Sequence, residues 1–247
     1  MTDTITAGMV VIGDEILSGR TKDRNVGHLA DVMTAIGIDL REVRIVADDE
    51  DDIVAAVNAL RHRYSYVFTT GGIGPTHDDI TADAIARAFG VPCDYDARAL
   101  AMLEASYAER GIAFTPARKR MARMPKGAEH IDNPISIAPG FRIGNVHVMA
   151  GVPAIFQAML DNVVPTLETG ARLLSETVHC PYGEGTIGDA LAEIQKKHPD
   201  TIIGSYPKYR DGSFWTELVV RSRDPARLAA AKAEIVAMLA AIAARQA

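Results

Sequence analysis

Short apolar runs alternate with helically spaced segments through the first two thirds of the chain. Gly8 to Ile12 is an apolar run that reads as a buried strand ending at Gly13-Asp14. Val26, Leu29, Ala30, Met33 and Ile36 recur at helical spacing, and Gly37 supplies a stop. Asp39 to Val46 reads as a second strand, Ile53 to Leu60 as a second helix and Tyr66 to Thr69 as a third strand. A glycine-rich stretch follows, then an amphipathic helix from Ala82 to Phe89. Asp96 to Met124 has helical character throughout. Short strands are predicted at Phe141 to Ile143 and Val146 to Met149, with a helix from Ala154 to about Leu167. Pro153 suits a first helical turn, where its missing N–H costs nothing.

The pattern changes near Gly170. Strand (Leu174 to His179), helix (Thr186 to Lys196), strand (Thr201 to Ser205), strand (Phe214 to Arg221) and helix (Pro225 to Ala244) follow. Arg210-Asp211-Gly212 marks a hairpin between the last two strands. The reading is an α/β domain over residues 1–170, with a doubly wound, mostly parallel sheet, and a small α+β domain over 171–247. In such sheets ligands bind beyond the carboxyl ends of the strands. Gly13-Asp14 and the glycine stretch both belong at that edge.

The charge balance narrows the partners. A net charge of −6 argues against nucleic-acid or membrane binding by the whole surface. No apolar run approaches the roughly 20 residues needed to cross a bilayer, and the N-terminus lacks a signal-peptide pattern. Cys93 and Cys180 make neither a spaced metal motif nor a disulfide framework. A cytoplasmic protein is expected.

The chemistry concentrates in Thr69-Thr70-Gly71-Gly72-Ile73-Gly74-Pro75-Thr76-His77-Asp78-Asp79-Ile80-Thr81. Three glycines between strand and helix allow close backbone approach to a ligand. The helix N-terminus offers N–H groups to an anion such as phosphate. Carboxylates beside a phosphate cradle suit a divalent metal or a proton transfer. Simpler roles stand beside these. Asp79 or Thr81 can stabilise the helix start, Asp14 can be a turn residue, and Asp48 opens an acidic run that suits a solvated helix start. His77 could tune a proton beside the carboxylates, though an exposed loop position is the simpler reading, and Ser18 suits a loop hydrogen bond. Arg118, Lys119, Arg120 and Arg123 could reach phosphate, with a solvated helix face the simpler reading.

Several separated motifs carry a family resemblance. They are Gly13-Asp14-Glu15-Ile16-Leu17-Ser18-Gly19, Asp23 with Asn25, Asp48-Asp49 and Thr70 to Thr81. Asn133-Pro134 with Ala138-Pro139-Gly140-Phe141, and Gly151-Val152-Pro153, complete the set. Residues 7–168 resemble the molybdopterin-binding (MoaB/Mog) domain, in the form found in the N-terminal part of competence/damage-inducible protein A. Residues 174–240 resemble the KH-like module that follows it there. Ile203-Gly204-Ser205-Tyr206-Pro207 is similar to a segment after the corresponding domain of FAD synthase. The sequence shows neither a deamidase domain nor an FAD-forming transferase domain, so those two activities are expected to be absent.

The resemblance implies a site over the carboxyl edge of the sheet. It matches a functional loop aspartate to Asp79 and a second to Asp48, with Asp49 an alternative by a one-residue slip. It implies metal-dependent pyrophosphatase activity on ADP-ribose- or FAD-type nucleotides. In that reading Asp14, Asp48 and Asp79 gather Mg, Mn or Co ions. Asp79 and Asp48 act in catalysis, while Gly13, Asp14, Ser18, Gly71, Gly72, Gly74, Pro75, Asp78, Thr81, Gly151 and Pro153 contact the nucleotide or pterin ligand. Self-association is also implied. Adenylyl transfer to molybdopterin and a non-catalytic binding role are the alternatives. RNA binding through Gly185-Thr186-Ile187-Gly188 is disfavoured, because this G-x-x-G sits before a helix and lacks surrounding Lys and Arg. A nicotinamide dehydrogenase is disfavoured, because no G-x-G-x-x-G follows the first strand.

Overall fold

The computed structural model describes residues 4–246. They divide between Gly170 and Ala171 into two compact units. The first unit runs β1 (Thr6–Ile12), α1 (Asp14–Leu17), α2 (Asn25–Ala35), β2 (Asp39–Val46), α3 (Glu50–Arg61), β3 (Tyr66–Thr70) and α4 (Thr81–Phe89). It continues with β4 (Cys93–Tyr95), α5 (Ala97–Glu109), α6 (Pro116–Lys119), a 3-10 turn (Arg120–Ala122), β5 (Arg123–Pro125) and β6 (Glu129–Ile131). It ends with β7 (Gly140–Ile143), β8 (Val146–Met149), α7 (Pro153–Val163) and a 3-10 turn (Val164–Thr166). Six strands form one sheet in the order β2-β1-β3-β8-β7-β6. The first four are parallel, and β7 and β6 are antiparallel to their neighbours.

Alternation along β1 explains the two layers of helix. Met9 and Val11 pack on one face with Leu29 and Met33 of α2 and Phe156 and Leu160 of α7. Val10 and Ile12 pack on the other with Ile53 and Leu60 of α3, Ile85 of α4 and Leu103 of α5. A sheet covered on both faces needs such continuous apolar strands. Asp49 caps α3 by accepting from the N–H groups of Asp51 at 2.9 Å and Asp52 at 3.1 Å.

The helix expected over 96–124 is broken. Its first part is α5, which closes before Gly111 in the left-handed region at φ 63°. Pro116 then opens α6, and residues 123–125 pair with 93–95 as a two-stranded ribbon. The ribbon and β6 were not expected.

His147 lies on β8, 2% exposed, stacked 5.2 Å from Phe68 and edge-on to Tyr66. Burial, then the nearby Arg142 cation, pushes its pKa from 6.5 down to about 4. The fold therefore binds fewer protons here than the unfolded chain does below pH 6.5. Stability from this residue is constant above about pH 7, falls as pH drops towards 4, and then levels off. Urea unfolding of His147→Leu and wild type across that range should show the difference, of order 3 kcal/mol. A pH-independent difference would contradict it.

The second unit runs β9 (Leu174–Cys180), α8 (Glu184–Lys197), β10 (Ile202–Arg210), β11 (Ser213–Ser222) and α9 (Pro225–Gln246). The strands form an antiparallel sheet in the order β10-β11-β9. Leu218 and Val220 pack with Ile187 and Ile194 of α8 and Leu228 and Ile235 of α9. Asp211 and Gly212, at φ 51° and 80°, make the two-residue hairpin turn. Gly185 and Gly188 lie inside the first turns of α8, so they form no loop between helices. Among the described residues, no helix is long and apolar enough to cross a membrane.

Candidate functional site

The carboxyl ends of β1, β3 and β8 surround a cavity of about 540 Å³. The chain leaves β1 to one side for β2 and returns to the other side for β3. That reversal opens the crevice in which doubly wound sheets hold ligands. The volume lies within the roughly 300–1,000 Å³ of ordinary small-molecule sites. Ile12 and Gly13 come from the end of β1, Asp48 from the loop after β2, and Gly71 to Pro75 from the loop after β3. Ala150 to Val152 come from the turn after β8, and Pro153 and Ile155 from the start of α7. Asn133, Ser136 and Ala138 form another wall with Met121.

The glycine loop is held from below and open above. Gly71 has φ 106°, and a Cβ there would lie 2.1 Å from the Ile12 carbonyl oxygen. Gly72 has φ 67°, and a Cβ there would meet the Thr81 hydroxyl. Only glycine fits both the conformation and the space. Thr81 donates through Oγ1 to the Gly71 carbonyl at 3.0 Å and through its N–H to the Gly72 carbonyl at 3.0 Å. The Gly71 N–H is taken by the Met149 carbonyl at 3.2 Å. Among the described residues, no protein acceptor takes the N–H groups of Gly72, Ile73 or Gly74. Three successive free amides in a turn form an anion-binding concavity.

Carboxylates stand at the same cavity. Asp48 accepts from the Asp14 N–H through Oδ2 at 3.0 Å. Partial burial pushes its pKa up, with the nearby carboxylates of Asp14, Glu15 and Asp78 adding to the effect. Asp78 is held below the ordinary carboxylate range, first by the Thr76 hydroxyl and then by its own amide. Asp79 turns back on its loop, where Oδ2 accepts from the Thr76 N–H at 2.7 Å and from the Thr76 hydroxyl.

Residues 8–169 match the family described as probable molybdopterin binding domain. The chain belongs to that family. Residues 172–246 match the FAD synthase middle domain. A protein of Pyrobaculum arsenaticum is 36% identical over 211 residues, which is 82% of this chain and 80% of that one. A protein of Caldivirga maquilingensis is 34% identical over 209 residues, covering 82% and 81%. The solved structure of CinA from Thermoplasma acidophilum, described as of unknown function, is 32% identical with a TM-score of 0.61. It aligns with 67% of this chain and 99% of its own.

In this molybdopterin-binding domain, Gly13, Asp48, Gly71, Gly72, Gly74, Pro75, Asp78, Asp79, Gly151 and Pro153 line one cavity. Three expected residues do not. Ser18 is exposed at the end of α1, because the helical turn over Asp14–Leu17 carries it outward. Asp14 meets Asp48 through its N–H, and its exposed side chain does not line the cavity. Thr81 is fully buried and acts beneath the loop. Asp14, Asp48 and Asp79 are not gathered as a metal set. Among the described residues, no group of three or more His, Cys, Asp or Glu is placed to hold an ion. The carboxylates that act on Asp48 are Asp14, Glu15 and Asp78, while Asp79 is engaged by Thr76. Asp49 caps a helix, so Asp48 is the residue facing the cavity.

Sequence reasoning passed over two structural asparagines. Asn25 is 3% exposed and donates to Thr70 Oγ1 and the Gly151 carbonyl, both at 2.8 Å, tying α2 to the ends of β3 and β8. Asn133 accepts from the N–H groups of Ile135 and Ser136 at 3.1 Å and donates to the Ala138 carbonyl, folding the cavity's outer wall. Both residues stand in the quoted motifs. Neither stands in an apolar stretch of sequence, since Asn25 follows Asp23-Arg24 and Asn133 follows Asp132, so their motif positions were the available signal.

Thr81→Val keeps the volume and removes the donor to Gly71. An unsatisfied buried carbonyl costs roughly 1–3 kcal/mol, so thermal unfolding should fall with the cavity residues unchanged. An unaltered melting temperature would show that the loop stands without this bond.

Proposed function

We propose that this protein binds a phosphate-containing nucleotide or pterin in the cavity at the switch point. We further propose that it hydrolyses the diphosphate of ADP-ribose- or FAD-type molecules with a divalent ion. The observation that carries this reading is the run of free amides at Gly72, Ile73 and Gly74 in a cavity that Asp48 and Asp78 also line. The amides suit a phosphate group. The carboxylates would repel that group unless a cation stood between them.

The donor set fits such a cation. Magnesium takes hard oxygen ligands and is commonly held by one or two carboxylates plus the substrate's phosphates. Burial and neighbouring carboxylates raise the pKa of Asp48, a cost that a bound cation relieves. Asp48 and Asp78 would hold the ion, which when bound would neutralise phosphate charge and activate water. Gly72 to Gly74 hold and orient the phosphate. Asp79, through Thr76, sets the loop's shape. Ile73, Met121, Val152 and Ile155 offer apolar walls for a planar ring and limit water. The match of the second unit to the FAD synthase middle domain supports an FAD-type substrate.

Adenylyl transfer to molybdopterin is favoured instead by the description of the first unit's family, and it would use the same amides. The purified protein should be incubated with ADP-ribose, FAD, NAD and ATP, each with Mg, Mn or Co, and the products separated by chromatography. AMP released from a diphosphate substrate without an acceptor is the expected result. Turnover only when molybdopterin is supplied would replace hydrolysis by transfer. Binding without turnover would leave a carrier or sensor.

A further inference from the structure

The glycine loop has a second, smaller cavity behind it, lined by Gly72, Ile73, Gly74, Asp79, Asp83 and Arg120 among others. Two arginines reach this space, and they differ in one respect. Arg123 is neutralised by Asp83, with Nε 3.3 Å from Oδ2 and NH2 on Oδ1. That pairing engages both oxygens of Asp83. Arg120 has no ion-pair partner among the described residues. Its NH2 meets only the Asp79 carbonyl, at 3.4 Å, and its Nε is buried without an acceptor. The other two cations of the segment are engaged elsewhere. Arg118 lies over Tyr107 and bonds the Ala113 carbonyl, and Lys119 lies over Phe114.

A half-buried guanidinium without a counter-charge is costly, and a buried N–H without an acceptor adds to the cost. Such a group stands where an anion completes it. The free amides of Gly72 to Gly74 belong to the same loop that Arg120 reaches. On the 3-10 turn over Arg120–Ala122, Arg120 lines the smaller cavity and Met121 lines both, and the same Gly72–Gly74 loop separates the two.

We propose that Arg120 supplies the positive charge for a phosphate group held on the Gly72–Gly74 amides. This rests on the reading that the main cavity binds phosphate, and it assigns the charge that backbone amides alone lack. A fixed arginine also makes affinity depend on ionic strength.

The test is calorimetric binding of inorganic pyrophosphate, in magnesium chloride and at several sodium chloride concentrations. Wild type, Arg120→Gln, Arg120→Lys and Arg118→Gln would be compared, with melting curves for each. Arg120→Gln should bind about tenfold to a hundredfold more weakly, with a shallower salt dependence. Arg120→Lys should recover part of the affinity, and Arg118→Gln should match wild type. If Arg120→Gln does not fold, Arg120→Met, which keeps the packing of the stem, takes its place. Wild-type affinity and salt dependence in the neutral variant would overturn the role of Arg120 and leave the cavity's function standing. Loss of affinity in Arg118→Gln as large as in Arg120→Gln would also overturn it. Absence of pyrophosphate binding by the wild type would overturn both.

Discussion

Asp48→Asn is expected to lower metal-dependent turnover by about a hundredfold or more while leaving the fold at least as stable as wild type. The two effects have opposite signs because one carboxylate has two relations to its surroundings. Towards a bound cation it is a ligand, and losing a Lewis-acid ligand forfeits several kcal/mol of transition-state stabilisation. Towards the folded chain it is a liability. Burial and the carboxylates of Asp14, Glu15 and Asp78 raise its pKa above the ordinary 3.8. A raised carboxyl pKa means that stability falls as pH rises through the unfolded value towards the folded one. At neutral pH the asparagine variant is free of that loss. Its amide side chain can still accept the Asp14 N–H bond through its oxygen. Melting curves with and without manganese, set beside turnover, separate the effects. A variant that loses stability together with activity would mark Asp48 as structural.

Gly71→Ala is expected to destabilise the first unit by roughly 2–5 kcal/mol and to remove ligand binding. Two terms add. A non-glycine residue at φ 106° is strained by about 1–2 kcal/mol. The new methyl would sit 2.1 Å from the Ile12 carbonyl, a backbone atom of the neighbouring strand that cannot swing aside, for about 1–3 kcal/mol more. For a unit of this size the melting temperature should fall by about 4–20 °C. Gly74→Ala is the contrast. Its nearest obstacle is the Asp79 carboxylate at 2.6 Å, the end of a side chain rather than backbone, and its own backbone lies outside the left-handed region. That variant should melt within a few degrees of wild type. Equal melting of the two variants would mean that the loop is not set by its contact with β1.

The sheet was legible in sequence where the apolar runs are short and bounded. The expected limits of β2 and β8 are the observed ones, because Asp39, Asn145 and Ala150 sit at abrupt changes of pattern. The region 96–124 misled because Leu100, Leu103 and Tyr107 keep helical spacing up to the break. Gly111 and Pro116 are weak signals against that periodicity. The β4–β5 ribbon depends on pairing across nearly thirty residues, which no local window contains.

The candidate site divides in the same way. The glycine loop announced itself, but which of its amides remain free depends on the Met149 carbonyl of a strand far along the chain. Asp48 and Asp49 are neighbours in an acidic run, and only the cap geometry of α3 assigns one to the helix and the other to the cavity. The basic run 118–123 is uniform in sequence. The fold divides it among ring faces, an ion pair with Asp83 and the solitary Arg120.

The central claim is that phosphate and metal meet between the Gly72–Gly74 amides and Asp48. The most direct measurement is a crystal structure of the protein soaked with ADP-ribose and manganese, with anomalous data collected for the metal. The account predicts a manganese peak bound by Asp48 and Asp78, with a diphosphate oxygen on it and a phosphate on the three amides. A diphosphate bound away from this loop, or manganese bound with neither Asp48 nor Asp78 among its ligands, would contradict it.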